Sequence, residues 1–171
     1  EKLYQSEDMV SVDFADYIRN LTDYLLKSYS LGNKKIKLKL NVEKVFLGMD
    51  TAVPLGIIIN ELVSNSLKHA FLEGKDGEVS ICLKREENEK QIQDIDSYKQ
   101  KTKNPGEWFF LIVEDNGAGF PKEMNFRETD SLGLQLVVNL VEQIEGSIKL
   151  DTAIGTKFII RFKELKSKSK N

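Results

Sequence analysis

The sequence predicts a two-layer α/β sandwich, in which a mixed and mostly antiparallel sheet carries helices on one face. Apolar residues recur at helical spacing in three segments and form strand-like patterns in five, in the order α-β-α-β-β-α-β-β. Successive strands without an intervening helix favour antiparallel hairpins. The 171 residues are enough for one such domain with its own hydrophobic core.

The composition excludes several classes of protein. The 25 Lys and Arg residues balance 27 Asp and Glu residues, so the chain lacks the basic surface expected of a nucleic-acid-binding protein. One Cys and one His exclude a disulfide framework and a Cys/His metal cluster, and a single thiol fits a reducing compartment. No apolar run reaches the ~20 residues of a membrane span. Because the chain begins at Glu1 without a signal peptide, we expect a cytoplasmic piece of a longer protein or membrane sensor, itself without membrane contact.

The first half of the chain contains two helices and an edge strand. Helical spacing of apolar residues after a capping aspartate predicts a helix over 13–29. Over 36–42, apolar residues alternate with lysines, which predicts a half-buried strand at a sheet edge. The second helix is predicted over 51–71, with Asp50 as its cap and Pro54 in its first turn.

The second half adds four strands and a helix. A strand over 79–83 precedes a charge-rich stretch, 85–107, that is typical of a long solvated connection. The nearly continuous apolar run 108–113 predicts a central strand covered on both faces. The remaining predicted elements are a helix over 132–145, capped by Ser131 and closed by Gly146, and strands over 147–151 and 157–162.

The polar side of the second helix carries residues that could bind a ligand. Glu61, Asn65 and Lys68 stand at i, i+4 and i+7, so we expect them to project in one line. A carboxylate, an amide and an ammonium in that order suit a hydrated Mg²⁺ and the phosphates that it bridges. A solvated helix face with one Glu-Lys pair is the alternative. His69 could either interact with the dipole at the end of the helix or donate a hydrogen bond to a phosphate oxygen.

Two glycine-containing runs could contact a ligand. Asp115, Gly117 and Gly119 follow the central strand, and this run is either a tight turn or a place where backbone approaches a flat ligand. There, Asp115 could accept a hydrogen bond from an exocyclic amine. The second run, Ser-Leu-Gly-Leu at 131–134, opens a helix whose free amides suit a phosphate chain. The chain has no Walker A motif, which excludes a P-loop NTPase.

These motifs together resemble the ATP-binding domain of sensor histidine kinases, the GHKL or Bergerat fold shared with DNA gyrase, Hsp90 and MutL. The segment 60–70 resembles the family's N box, and 115–119, 131–136 and 155–156 resemble its glycine boxes. The resemblance covers about 36–162. The Lys-His-Ala-Phe ending of the N box and the Ser-Leu-Gly-Leu run are similar to the subfamily with a variant dimerisation domain.

The resemblance implies roles for the phosphate-side residues and two ligands, ATP and Mg²⁺. Asn65 would ligate Mg²⁺, and Lys68 and His69 would contact phosphate. The backbone of Leu132, Gly133 and Leu134 would lie against the phosphates. Glu61 matches the general base of the family's ATPases, so it is the candidate catalytic residue.

The resemblance also implies an adenine pocket and a lid. Asp115 would accept a hydrogen bond from the adenine amine, Gly117 and Gly119 would line the pocket, and Thr156 would reach adenine through water. The stretch 120–130 would be the ATP lid. Because this stretch has few apolar anchors, we expect it to sample open conformations without a ligand. ATP would order it by contacting the amides that follow it and Lys122 or Arg127.

As a whole, the resemblance implies a kinase domain that donates the γ-phosphate of ATP to a histidine on a separate dimerisation domain, in two-component signalling. Residues 1–34 would link to that missing domain, 35–165 would form the ATP-binding domain, and 166–171 would be a disordered basic tail. A response regulator would be an indirect partner. The alternatives are an ATP-binding conformational module without phosphotransfer, with 85–107 as its interaction surface, and an ATPase with Glu61 as base.

Overall fold

A computed structural model describes residues 11–29, 35–71, 76–86 and 107–165 of the chain. The predicted tail at 166–171 and most of the charged stretch at 85–107 lie outside the described residues. The described elements are β1 (Ser11–Asp13), α1 (Phe14–Ser28), β2 (Ile36–Val42), β3 (Phe46–Gly48), α2 (Met49–Asn65), a π-helical turn (Ser66–Ala70, here the π-turn), β4 (Gly77–Arg85), β5 (Trp108–Asp115), α3 (Leu132–Gln143), β6 (Ser147–Asp151) and β7 (Thr156–Lys163). None of the described helices is long and apolar enough to span a bilayer.

The main sheet has five strands in the order β2-β4-β5-β7-β6. Only β2 and β4 pair in parallel, and the other three pairings are antiparallel, so the predicted mixed and mostly antiparallel sheet is confirmed. The lysine-bearing strand β2 lies at an edge, as predicted. In the middle of the sheet, Asp115 at the end of β5 stands in register with Val79 and Thr156. The topology therefore brings two predicted site residues side by side.

The two faces of the sheet differ in burial. On β5, Phe109, Leu111 and Val113 are buried in the core, whereas residues of the other face are only partly buried. The prediction that this strand is covered on both faces is therefore wrong. Long side chains cover part of this face. The Arg161 guanidinium, for example, lies 3.7 Å from the ring centroid of Trp108.

The N-terminal segment packs into the same core. Phe14, Ile18 and Leu25 of α1 are buried within the single core cluster of the described residues. The predicted Asp13 cap is confirmed, since its Oδ1 accepts a hydrogen bond from Asp16 N at 3.3 Å. Strands β1 and β3 pair with each other antiparallel and were not predicted, because three residues are too few to show an alternating pattern. A boundary between residues 34 and 35 stays a prediction.

Helix α2 begins earlier than predicted. Gly48 is its N-cap residue and makes no side-chain cap, so Asp50 lies in the first turn and not at the cap. Pro54 is consequently inside the helix rather than in its first turn. The early start follows from β3, which ends at Gly48 and whose last N–H donates to Glu164 Oε1 at 2.9 Å. At the other end, the predicted continuous helix gives way to the π-turn.

Helix α3 differs from its prediction at both ends. Ser131 occupies the N-cap position, but its side chain makes no capping hydrogen bond. The helix ends at Gln143, and the residue with a positive φ of 53° is Glu145, not Gly146. Gly146 N instead donates to Val141 O at 2.9 Å, which closes the turn around that left-handed residue.

Candidate functional site

A cavity of about 370 Å³ opens beside the last turns of α2, the end of β5, the segment 120–130 and the start of α3. Its volume lies within the usual range for small-molecule sites. It brings together six residues predicted from the sequence: Asn65, His69, Asp115, Gly119, Leu134 and Thr156. The cavity also has apolar walls, which include Leu62, Ala70, Met124 and Phe158. A polar rim and apolar walls suit a ligand with a flat ring and a charged tail.

Asp115 is the most buried polar residue of the cavity lining, and it is only 5% exposed. Its Oδ1 accepts hydrogen bonds from Gly117 N at 3.0 Å and Thr156 N at 3.3 Å. Its Oδ2 accepts one from Ser66 Oγ at 2.8 Å. A carboxylate offers about four lone-pair positions. The donors among the described residues thus leave one acceptor position on Oδ2.

Gly117 serves the loop rather than the cavity. Ala118 N donates to Ala70 O at 2.7 Å, so the loop after β5 rests on the π-turn. A Cβ atom on Gly117 would overlap the carbonyl group of Ala70, which is backbone and cannot move aside. The close approach requires glycine. Gly117 is accordingly absent from the cavity lining, whereas Gly119, with a φ of 84°, belongs to it.

The π-turn interrupts the predicted line of Glu61, Asn65 and Lys68, because only the first two belong to α2. Asn65 is partly buried and lines the cavity. Lys68 is exposed, with Nζ 5.6 Å from the ring centroid of Tyr29, and it does not line the cavity. The wider winding of the π-turn after Asn65 departs from the i, i+4, i+7 register of an α-helix.

Glu61 lies next to the start of α3, outside the cavity lining. A Cβ atom on Gly133 would stand 2.5 Å from Glu61 Oε2, so glycine here admits the carboxylate. Asn60 Nδ2 donates to Glu61 Oε1 at 3.4 Å. The structure thus explains why glycine occurs in the first turn of a helix: it makes room for an acidic side chain.

The start of α3 presents backbone donors at the rim. Gln135 N donates to Ser131 O at 3.0 Å, and the amides of 132–134 precede this first helical bond. Leu134 is buried and lines the cavity, while Leu132 is 80% exposed. Helix N-termini of this kind attract anions.

The segment 120–130 has aromatic anchors that sequence analysis missed. Phe120 and Phe126 both meet the ring of Phe158 edge-on, with centroids 6.2 and 5.6 Å apart. Arg127 Nη2 donates to Ile148 O at 2.8 Å, and its guanidinium lies 5.1 Å from the ring centroid of Phe126. This arginine therefore fixes the segment to β6 and does not line the cavity, while Lys122 is exposed.

The cavity offers few metal ligands of its own. Over residues 11–29, 35–71, 76–86 and 107–165, no group of three or more His, Cys, Asp or Glu side chains could hold a metal ion. Mg²⁺ often takes only one or two protein oxygens and otherwise binds water and phosphate. The amide oxygen of Asn65 fits such a partial ligand set.

Ser66 and Phe158 are cavity residues that the sequence did not identify. Ser66 follows Asn65 directly and is 8% exposed, and a buried hydroxyl among apolar neighbours is a signal for a specific partner. Phe158 belongs to the alternating pattern of β7, and nothing in that pattern separates a cavity wall from core.

Comparison with known proteins identifies the family. Residues 50–166 match the histidine kinase-, DNA gyrase B- and HSP90-like ATPases. The chain belongs to this family. The match begins in the first turn of α2 and ends just after β7, so it includes every element around the cavity.

Two curated relatives in this ATPase family are histidine kinases. The chain is 30% identical over 118 residues to the sensor histidine kinase PdtaS of Mycobacterium tuberculosis, which covers 67% of this chain and 20% of PdtaS. It is 26% identical over 164 residues to blue-light-activated histidine kinase 2 of Erythrobacter litoralis, which covers 92% of this chain and 42% of that protein. The chain therefore spans less than half the length of either relative.

Solved structures share the fold of this ATPase domain. The histidine kinase domain of a blue-light-activated kinase from Erythrobacter litoralis aligns with a TM-score of 0.68 at 20% identity, over 88% of this chain and 65% of that one. The ATP-binding domain of PrrB from Mycobacterium tuberculosis aligns with a TM-score of 0.61 at 16% identity, over 94% and 100%. The predicted α/β sandwich of the histidine kinase ATP-binding domain is confirmed.

Proposed function

We propose that this chain is the catalytic domain of a sensor histidine kinase, which binds Mg-ATP and donates the γ-phosphate to a histidine on a separate dimerisation domain. One observation carries the proposal: a buried carboxylate, Asp115, keeps an acceptor position in a cavity that also contains an amide ligand, Asn65, and lies beside a helix N-terminus. Family membership makes ATP the nucleotide to test first.

Asp115 would recognise the adenine ring. Its remaining acceptor position suits the exocyclic amine, because that group is a hydrogen-bond donor. Thr156 stands beside Asp115 in register and lines the cavity, so its hydroxyl would hold a water against the ring. The apolar walls at Leu62 and Ala70 suit the faces of a purine.

The opposite end of the cavity would bind the triphosphate. Asn65 would supply the protein oxygen to Mg²⁺, which neutralises phosphate charge when bound. His69 lines this end and would donate to a phosphate oxygen. Lys68 would reach the phosphates after leaving the ring of Tyr29, and the amides of 132–134 would contact them directly.

Phosphotransfer would depend on positioning and on charge neutralisation, as phosphoryl transfer generally does. The only histidine of the chain, His69, lines the cavity and would itself contact the phosphates, so the acceptor histidine would come from another domain. Glu61, held beside Gly133, would orient the incoming histidine. Residues 1–34 would connect to that dimerisation domain, and a response regulator would take the phosphate afterwards.

A finer assignment concerns the subfamily. We place the chain in the subfamily with a variant dimerisation domain, because the segment 68–71 reads Lys-His-Ala-Phe and the second glycine box reads Ser-Leu-Gly-Leu. The matches to PdtaS and to the blue-light-activated kinase support two-component signalling as the setting.

An ATPase is the second candidate, and the position of Glu61 favours it. The carboxylate lies at the start of α3, where the phosphates would end, so it could activate a water instead of orienting a histidine. A conformational module would bind ATP and do neither.

One experiment separates the three functions. The chain is incubated with γ-labelled Mg-ATP, alone and with a dimerisation domain of the same subfamily. The kinase proposal expects acid-labile label on the added domain and none on the chain alone. Label on His69 of the chain alone, release of free phosphate, or intact ATP would each contradict it, and the last two point to the ATPase and to the conformational module respectively.

A further inference from the structure

We propose that Ser66 is a positioning residue that makes the cavity selective for an amino group on the purine ring. The inference rests on the proposed adenine contact of Asp115 and extends it to a residue outside the glycine boxes. Ser66 Oγ donates to Asp115 Oδ2 at 2.8 Å, and both residues line the cavity.

The hydrogen bond fixes the plane of the carboxylate. Gly117 N and Thr156 N hold Oδ1, and Ser66 holds Oδ2 from the side of the helix. With only the two amides, the carboxylate could turn about its Cβ–Cγ bond and move the remaining Oδ2 position out of line. Both partners are buried, at 8% and 5% exposed, so water competes weakly for this bond.

The π-turn is what brings Ser66 within reach. Two hydrogen bonds join the π-turn to the end of β5 and the loop that follows it: Ser66 donates to Asp115, the last residue of β5, and Ala70 O accepts from Ala118 N in the loop. Single π-helical turns within α-helices are frequent at functional sites. Here the first residue of the turn holds the end of β5 and the last holds the loop after it, so turn, strand end and loop form one rigid unit around the ring.

The direction of the hydrogen bond determines the selectivity. A serine hydroxyl has one proton, and in Ser66 that proton is committed to Asp115. Toward the cavity, the serine oxygen and the remaining carboxylate position are therefore both acceptors. An amino group at this point of a purine is favoured, and a carbonyl there meets acceptors only, which leaves buried polar groups unpaired.

The experiment compares nucleotides that differ only at this group. Calorimetry in Mg²⁺ measures the binding of ADP, of purine riboside diphosphate, which lacks the amine, and of inosine diphosphate, which carries a carbonyl. For the unmodified chain we expect ADP to bind roughly tenfold to a hundredfold more tightly than either analogue, a difference of about 1–3 kcal/mol.

Ser66→Ala should lower that preference for ADP at least threefold, with the affinity for the amine-free nucleotide unchanged. Ser64→Ala is the matched control, since it removes a buried hydroxyl from the same helix at a residue outside the cavity lining, and it should keep the full preference. In the Asp115→Asn background, Ser66→Ala should have no further effect on the preference.

The outcomes distinguish this inference from the proposed function. If the unmodified chain binds all three nucleotides equally, or none, the adenine role of Asp115 fails and the inference fails with it. If the chain and Asp115→Asn differ as expected but Ser66→Ala keeps the preference, only the inference is overturned. An equal loss of affinity for ADP and the amine-free nucleotide would make Ser66 a structural residue and would also overturn it.

Discussion

The parts of the cavity that we propose for adenine and for phosphate are built differently. At the proposed adenine end, Asp115 is 5% exposed and accepts three hydrogen bonds from within the fold. At the proposed phosphate end, His69 is exposed, Leu132 is 80% exposed, and the Lys68 ammonium lies over the ring of Tyr29 rather than in the cavity lining. Sheet pairing and the π-turn thus complete the first end, whereas the second end needs a ligand to draw its groups together.

The contrast has a physical reason. Buried polar groups must find partners within the protein, so a recognition group placed in the core is fixed by its neighbours. Exposed cations and amides are solvated, and they meet a charged ligand without a fixed geometry in advance. We therefore expect the adenine end to determine selectivity, and the phosphate end to determine dependence on Mg²⁺.

The largest effect on nucleotide affinity is expected from a substitution at the proposed adenine end. Asp115→Asn keeps the shape of the side chain but replaces an acceptor by a donor that faces other donors. A mismatched buried pair of this kind costs about 1–3 kcal/mol, so ADP affinity should fall tenfold to a hundredfold. Calorimetry with ADP measures it, and equal affinity for the two proteins would remove Asp115 from the site.

Two glycines beside the cavity give a matched comparison of the loop after β5 with the start of α3. In Gly117→Ala the new Cβ meets the backbone of Ala70, and such overpacking should lower the free energy of unfolding by about 1–3 kcal/mol. In Gly133→Ala it meets only the tip of the Glu61 side chain, and the gain in helix propensity, up to about 1 kcal/mol, offsets the contact.

Denaturant unfolding of both glycine variants measures this difference. Equal destabilisation would mean that the start of α3 is as tightly packed as the loop after β5, against the proposed contrast.

A smaller effect on nucleotide affinity is expected at the proposed phosphate end. Asn65→Ala should weaken ADP binding in Mg²⁺ by about 1 kcal/mol, or roughly fivefold, because one ligand of the metal is lost. In EDTA the same variant should bind as the unmodified chain does. A loss of equal size in both conditions would make Asn65 a packing residue of α2.

The smallest effect lies away from both ends. A hydrogen bond from Arg161 holds the pKa of Glu86 below its usual value, against a weaker opposing effect of burial. A lowered folded-state pKa stabilises the protein above the unfolded pKa, and this contribution is lost as the pH falls through the folded value. Glu86→Gln should therefore lower stability at neutral pH by less than about 1 kcal/mol.

The pH series provides the control for that variant. Unfolding measured from pH 7 downwards should show the difference between the chain and Glu86→Gln vanish in acid, with ADP affinity at pH 7 unchanged. A difference that grows in acid would contradict the sign of the shift.

The elements of the fold that could be predicted from the sequence are those long enough to show a hydrophobic pattern. The alternation in 36–42 was enough to predict β2 and its edge position, because a strand with one lysine-bearing face suits the outside of a sheet. The three-residue strands β1 and β3 carry no period, and they displaced the start of α2 from its prediction. The π-turn has the same apolar spacing as an α-helix, so its interruption of α2 before Lys68 could not be predicted from the sequence.

The site shows the same division. Asp115 was identified because a carboxylate beside two glycines at a strand end is an unusual local pattern. Ser66 was missed because its partner lies 49 residues away in the sequence and meets it only through sheet topology. The aromatic anchors of 120–130 were missed for the same reason, since Phe158 lies on another element.

Hydrogen exchange tests the contrast between the two ends most directly. Amides of 66–70 and 115–117 should exchange slowly before Mg-ATP is added and change little afterwards, because the fold already holds them. Amides of 120–134 should exchange faster and slow markedly at saturating Mg-ATP. Equal slowing of both sets, or no change across 120–134, would contradict a cavity with one end built by the fold and the other by its ligand.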